Sequence, residues 1–191
     1  SSRANFNDWH CNREGQVNFW DLVEEICSQN PLQRKVILPF LEGQQVDYWE
    51  FVTEMCNGLS CYYVETLASE YNKLCNELLK EQIRFSKTGR YLLEDAAQAN
   101  EQVYGKPEAM RPYVLGLLLS YLFWPNHYKM YRFYSDYLKS RAPKRCLEVG
   151  AGHGLFTNEI FKRNPFAHIT VSDISPTAIE VASELSIGEA D

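Results

Sequence analysis

The sequence predicts an α/β protein: a mostly helical stretch over residues 1–143, followed over 144–191 by the start of a parallel-sheet core. Three observations predict it. Apolar residues recur at helical spacing through most of the chain. At Lys144 the pattern changes to short apolar runs that alternate with capped helices. Between the first run and its helix stands "GAGHG", Gly150 to Gly154, a turn of the kind that bares backbone to a ligand.

Phe19, Trp20, Leu22, Val23, Ile26 and Cys27 mark the first helix. Val46, Trp49, Val52, Met55 and Cys56 mark another, closed by Asn57–Gly58, a C-terminal stop signal. Ser60 is expected to cap a long helix with Tyr63, Leu67, Tyr71, Leu74, Leu78 and Ile83 on one face. "KTGRYLL", Lys87 to Leu93, breaks it, and a further helix is expected to end at Gly105. Pro107 suits the first turn of the next helix. Its apolar run "YVLGLLLSYLFW", Tyr113 to Trp124, is too short to cross a bilayer, which takes about 20 residues. A buried core helix is expected there, with a helix lining an apolar substrate tunnel as the alternative. "WPNH", Trp124 to His127, breaks the chain before "YKMYRFYSDYLKS", and Pro143 is expected to end that helix.

After Lys144, "RCLEV" reads as a short strand and "LFTNEIFKRN" as a helix ending at Asn164–Pro165. "HITVSD" is a second strand, rich in β-branched residues. "SPTAIEVASEL" is a second helix, with Ser175 as N-cap and Pro176 in the first position. This is β-α-β-α at the length of a right-handed parallel crossover.

Composition narrows the function classes. Of 191 residues, 45% are hydrophobic and 23% charged, which predicts a packed core rather than disorder. Aromatics at 14% fit either a large core or an aromatic-lined pocket. A formal net charge of −6 argues against nucleic-acid binding, which needs clustered Lys and Arg. The group Lys139, Arg141, Lys144 and Arg145 reads as a solvated edge ahead of a strand. The six cysteines are irregularly spaced, form no CxxC and follow no visible signal peptide. Reduced thiols in a cytoplasmic protein are expected, with no membrane association. His10–Cys11 has no second ligand pair at zinc spacing, so no metal is expected.

In the glycine loop, Leu155 stands where the third glycine of the dinucleotide fingerprint G-x-G-x-x-G belongs, so that fingerprint is not met. No G-K-[ST] follows, so the loop is not a P-loop either. "LEVGAGHG" instead resembles motif I of class I methyltransferases that use S-adenosylmethionine: an acid two residues before the first of the alternating glycines. The resemblance covers Arg145 to Leu185 and implies a Rossmann-like core. It implies that Gly150, Ala151, Gly152 and Gly154 form the cofactor loop, and that Glu148 holds the cationic α-amino group directly or through water. Asp173, about twenty residues past the loop, would take the ribose hydroxyls, with Ile174 against the adenine. His153 departs from the small residue often found at its position. "SDISP", Ser172 to Pro176, also looks similar to methyltransferase domains embedded in polyketide and peptide assembly lines.

The same resemblance makes the helical stretch over 1–143 a lid that caps cofactor and acceptor. Tyr121, Trp124, His127, Tyr128 and Tyr131 are candidates to reach the methyl-transfer site, where aromatic faces favour a sulfonium cation. His127 is the candidate general base and Tyr128 its catalytic neighbour, acting on an O- or C-linked acceptor. That acceptor would be a small molecule or a carrier-tethered intermediate. The chain stops at "IGEAD", after the second strand–helix unit, and lacks an initiator Met. A fragment of a longer polypeptide is therefore expected, one that binds cofactor weakly alone and needs a partner chain or the rest of the core over its open sheet edge. A nicotinamide-dependent oxidoreductase is the rival enzyme, disfavoured by Leu155. A degenerate methyltransferase fold used for binding or dimerisation is the rival non-enzyme, and the acidic pair Glu148 and Asp173 speaks against it.

Overall fold

Asn18 starts the first helix, its side-chain oxygen accepting the N–H of Trp20 at 2.8 Å and of Asp21 at 3.2 Å. From there helix follows helix in the computed structural model, which describes residues 17–93, 95–141 and 143–185. The helices are α1 (Phe19–Gln29), α2 (Arg34–Leu41), α3 (Val46–Gly58), α4 (Val64–Thr88) and the single turn α5 (Ala96–Ala99). A π-helical segment, Asn100–Tyr104, leads to α6 (Pro107–Phe123) and α7 (Pro125–Lys139). Then come β1 (Arg145–Val149), α8 (Leu155–Arg163), β2 (His168–Ser172) and α9 (Pro176–Glu184). The protein is of mixed α/β class, mostly helical with one two-stranded parallel sheet.

One helix carries no sequence expectation, and three local expectations are corrected. The helix α2 has no clear sequence signal, because it is short and carries Pro39 in its interior. Ser60 does not cap α4: the chain first makes a turn that buries Leu59 and Tyr62, and the helix begins after Tyr63 without a side-chain cap. Only the first half of α4 is buried; Leu78 and Ile83 are exposed on a half that extends past the core. The helix α7 ends at Lys139, before Pro143, with the N–H of Arg141 donating to Leu138 O at 3.0 Å. Gly89, at φ 70°, closes α4 in the left-handed conformation that its place in "KTGRYLL" suggests.

The helix α6 is apolar all round and sits at the centre, which is the expected fate of such a helix in a globular protein. It packs tightly on α4. A Cβ at Gly116 would stand 2.8 Å from both Glu70 O and Leu74 Cβ. Among the described residues, no helix is long and apolar enough to cross a membrane. Among the described residues, Cys27, Cys56, Cys61, Cys75 and Cys146 form no disulfide. His10 and Cys11 lie outside the described residues.

The strands pair in parallel from Arg145↔His168 to Val149↔Ser172. One sheet face packs Cys146 and Ile169 against Leu138 of α7, Ile160 of α8 and Ala167. Leu155, Ala178, Val181 and Leu185 enter the same core as the helical stretch, so apolar packing runs across the 143/144 boundary. Polar ties reinforce it. Buried Glu159 of α8 accepts from Tyr131 Oη at 2.9 Å and Ser135 Oγ at 2.7 Å, both on α7, and from Arg163 Nε at 2.8 Å. Glu184 of α9 accepts from Tyr62 Oη at 2.6 Å and pairs with Arg111 of α6. The opposite sheet face is bare: Leu147 is 68% and Val149 75% exposed.

Candidate functional site

Between β1 and α8, Gly150, Gly152 and Gly154 all hold left-handed backbone, at φ 74°, 54° and 73°. Other residues rarely adopt this region, so the alternation of glycines is a conformational requirement. The three do different things. A Cβ on Gly154 would stand 2.8 Å from Ala182 Cβ, so this glycine lets α8 and α9 approach. A Cβ on Gly150 or Gly152 would meet nothing within 4 Å. These two turn open backbone to the space beyond the carboxyl ends of the strands. Ala151 between them is buried, and its carbonyl accepts the N–H of Gly154 at 2.9 Å.

Two acids stand near the ends of the strands, Glu148 in β1 and Asp173 just past β2. Asp173, just past β2, is bound through both oxygens: Oδ2 accepts the N–H of Gly152 and Oδ1 the N–H of Ser175, each at 2.9 Å. The second bond closes an Asx-type turn that leads into α9. A carboxylate has about four acceptor sites, so two remain. Glu148, on β1, accepts a hydrogen bond from Thr157 Oγ1 in the first turn of α8. Burial raises its pKa above the ordinary carboxylate value, and the Thr157 bond opposes the shift. Glu148 also lines a cleft of about 560 Å³ between α7, β1 and α8, whose walls include Phe133, Tyr134 and Val149. Ile174 is 69% exposed beside Asp173.

The loop's own N–H groups are largely occupied. Gly150 N donates to Ser172 O at 2.7 Å, Gly152 N to Asp173, Gly154 N to Ala151 O and Leu155 N to His153 Nδ1 at 3.2 Å. A pyrophosphate cradle needs such groups free.

The aromatic candidates divide into two groups. Tyr121 on α6 reaches the loop, its ring 5.2 Å from that of His153 and 5.8 Å from Phe156. His127 stands on the same side, 5.1 Å from the Tyr121 ring and 4.9 Å from Trp124. Its Nδ1 lies 2.6 Å from Ser120 Oγ. With the Ser120 hydroxyl proton on Leu117 O, His127 Nδ1 is the donor to Ser120 Oγ. The lone pair is then on Nε2, and burial lowers the His127 pKa, which favours the neutral ring. Tyr128 and Tyr131 turn toward α3. Tyr128 packs edge-on against Tyr48 at 5.0 Å, and Tyr131 lies 4.3 Å from Phe51. Trp124 Nε1 donates to Tyr71 Oη at 2.9 Å.

The structure ties Gly152 to Asp173, with exposed Ile174 next in the chain, while Glu148 bonds to Thr157 and lines the separate cleft between α7, β1 and α8. Sequence reasoning missed Thr157 as the partner of Glu148; a hydroxyl in a first helical turn is too common to mark it. It missed Asp173 as a tie on the loop, although Asp two residues before a capping Ser is a turn signal. Among the described residues, no group of three or more His, Cys, Asp and Glu could hold a metal. Compared with protein-family models, curated proteins and solved structures, the chain matches none.

Proposed function

We propose that this chain carries the lid and cofactor loop of a class I S-adenosylmethionine-dependent methyltransferase with a Rossmann-like core. The observation that supports it is the left-handed glycine loop, with space at the Cβ positions of Gly150 and Gly152, tied to Asp173 across the ends of adjacent parallel strands. Ligands of open α/β sheets bind beyond the carboxyl ends of the strands. The residues fit the cofactor chemically: the two spare acceptor sites of Asp173 suit ribose hydroxyls, Glu148 suits an ammonium, and exposed Ile174 offers an apolar face to a purine.

When bound, the cofactor supplies a methyl group activated by its sulfonium leaving group. The chain's own work is to hold, orient and desolvate. Tyr121 supplies an aromatic ring against the loop, and aromatic faces suit a cation. The lone pair on Nε2 of His127 would accept a proton from an acceptor hydroxyl or acidic carbon. Tyr128, packed on Tyr48 and Phe51, supports the helix that carries His127. The acceptor class is a small molecule or a carrier-tethered intermediate.

The nicotinamide reading is disfavoured by the same loop, because four of its N–H groups already donate within the protein. Calorimetric titration of the full-length protein with S-adenosylhomocysteine and with NADH separates the two. Binding of S-adenosylhomocysteine alone is expected. Heat with NADH and none with S-adenosylhomocysteine would overturn the assignment.

A further inference from the structure

The glycine loop carries one bulky residue, and it is buried: His153 is 4% exposed. The N-cap of α8 is Gly154, which has no side chain to satisfy the first helical N–H groups. His153 does so from one residue earlier, its Nδ1 accepting the N–H of Leu155 at 3.2 Å. An accepting Nδ1 leaves the ring proton on Nε2 and the ring neutral. Tyr121 of α6 meets this ring edge-on at 78°, and Phe156 lies 6.4 Å away. One side chain therefore caps α8 and touches the central helix of the lid.

We propose, on the reading of this loop as a cofactor site, that His153 is a positioning residue whose cap on Leu155 and contact with Tyr121 hold Gly150 and Gly152 in their open left-handed shape. Glycine has the largest backbone freedom to lose on ordering, so a loop with three of them needs ties. Side chains tie it at two points: Asp173 at Gly152 and His153 at Leu155. Ala151, without a polar group, can only pack. Loss of the His153 tie frees the helical end of the loop while the Asp173 tie remains.

Three substitutions separate capping from packing. In His153→Asn the side-chain oxygen takes the place of Nδ1, so the cap persists and the ring is lost. In His153→Leu the bulk persists and the acceptor is lost. In His153→Ala both go. Two readouts are made on the full-length protein: amide hydrogen exchange over 150–155 without ligand, and affinity for S-adenosylhomocysteine by calorimetry. Leu155 exchange is expected to rise about tenfold in the Leu and Ala variants and to stay near wild type in Asn. Affinity is expected to fall about tenfold in Leu and Ala, with Asn recovering most of it. The proposal is overturned if Asn behaves like Ala, or if folded His153→Leu exchanges and binds like wild type. If the wild type binds no S-adenosylhomocysteine but the exchange pattern holds, the positioning role stands and the cofactor reading alone fails.

Discussion

The carboxylate of Asp173 holds the backbone N–H of Gly152 at 2.9 Å, across the ends of two adjacent strands. The same acid that faces the opening therefore shapes it in advance of any ligand. Asp173→Ala should lose both contributions. On the proposed reading two ribose contacts are lost; charge-assisted bonds are each worth about 1.5–3 kcal/mol, which means about a hundredfold weaker S-adenosylhomocysteine binding or more. Asp173→Asn keeps one oxygen for the Gly152 N–H and should show a smaller loss. Titration calorimetry gives the affinities, and exchange of the Gly152 amide shows whether the loop has loosened. Normal binding by Asp173→Ala would mean that this carboxylate does not hold the ribose.

Gly152 and Gly154 should fail differently. Gly154→Ala forces a Cβ against Ala182 at 2.8 Å and puts alanine at φ 73°. Overpacking and backbone strain together predict a loss of roughly 2–4 kcal/mol, seen as a lower melting temperature. Gly152→Val meets open space and is strained mainly by its left-handed backbone, but its side chain fills the opening. It should lose ligand affinity out of proportion to stability. Equal stability losses with unchanged affinity in both variants would contradict this division.

Acid should weaken the fold in two stages. Burial, aided by the nearby charge of His127, lowers the His153 pKa from 6.5 to about 4. Below 6.5 the unfolded chain binds a proton that the folded chain refuses, so stability is full above 6.5 and falls as the pH drops toward about 4. The full span is worth about 3 kcal/mol. Glu159 is the second stage. Burial alone would raise its pKa, but hydrogen bonds from Ser135, Arg163 and Tyr131 outweigh it and the net shift is downward. Its contribution is present above 4.5 and lost as the pH falls through the lowered value. Urea unfolding across this range checks both stages. His127, whose pKa burial also lowers, adds to the upper stage, so His153→Asn should reduce its slope, and an unchanged upper slope would assign it elsewhere.

His127 should be separable from the cofactor loop. His127→Ala should leave S-adenosylhomocysteine affinity nearly unchanged, because its polar contact is to Ser120 on α6. If Nε2 accepts the acceptor's proton, methyl transfer by the full-length protein falls by about 10²–10⁴-fold at constant affinity. Ser120→Ala removes the group that fixes the tautomer and should reduce turnover less. A drop in thermal stability with unchanged turnover per folded molecule would make His127 a packing residue.

The bare sheet face predicts association. Leu147 and Val149 are exposed beside an unpaired strand edge, an arrangement that invites edge pairing. Leu147→Lys with Val149→Lys should reduce concentration-dependent self-association in sedimentation. No change would mean that this face plays no part.

Local rules of sequence determine a good part of this molecule. The bounds of β1, the helix start at Leu155, the Ser175 cap and the burial of the run from Tyr113 follow from apolar period, capping chemistry and the φ limits of proline and glycine. The left-handed glycines follow too, because backbone sterics depend only on the residue and its neighbours. What local rules could not supply were relations between distant parts of the chain. The division between Gly154, held by α9, and Gly152, with space at its Cβ position, depends on where Ala182 comes to rest. The bond from Gly152 to Asp173 depends on strand register, and the setting of His153 on the placement of Tyr121 thirty-two positions earlier. Tyr128 and His127 are neighbours in sequence, yet successive helical residues point about 100° apart. One turns to the core formed with α3 and the other to the loop side, and only packing decides which faces the opening.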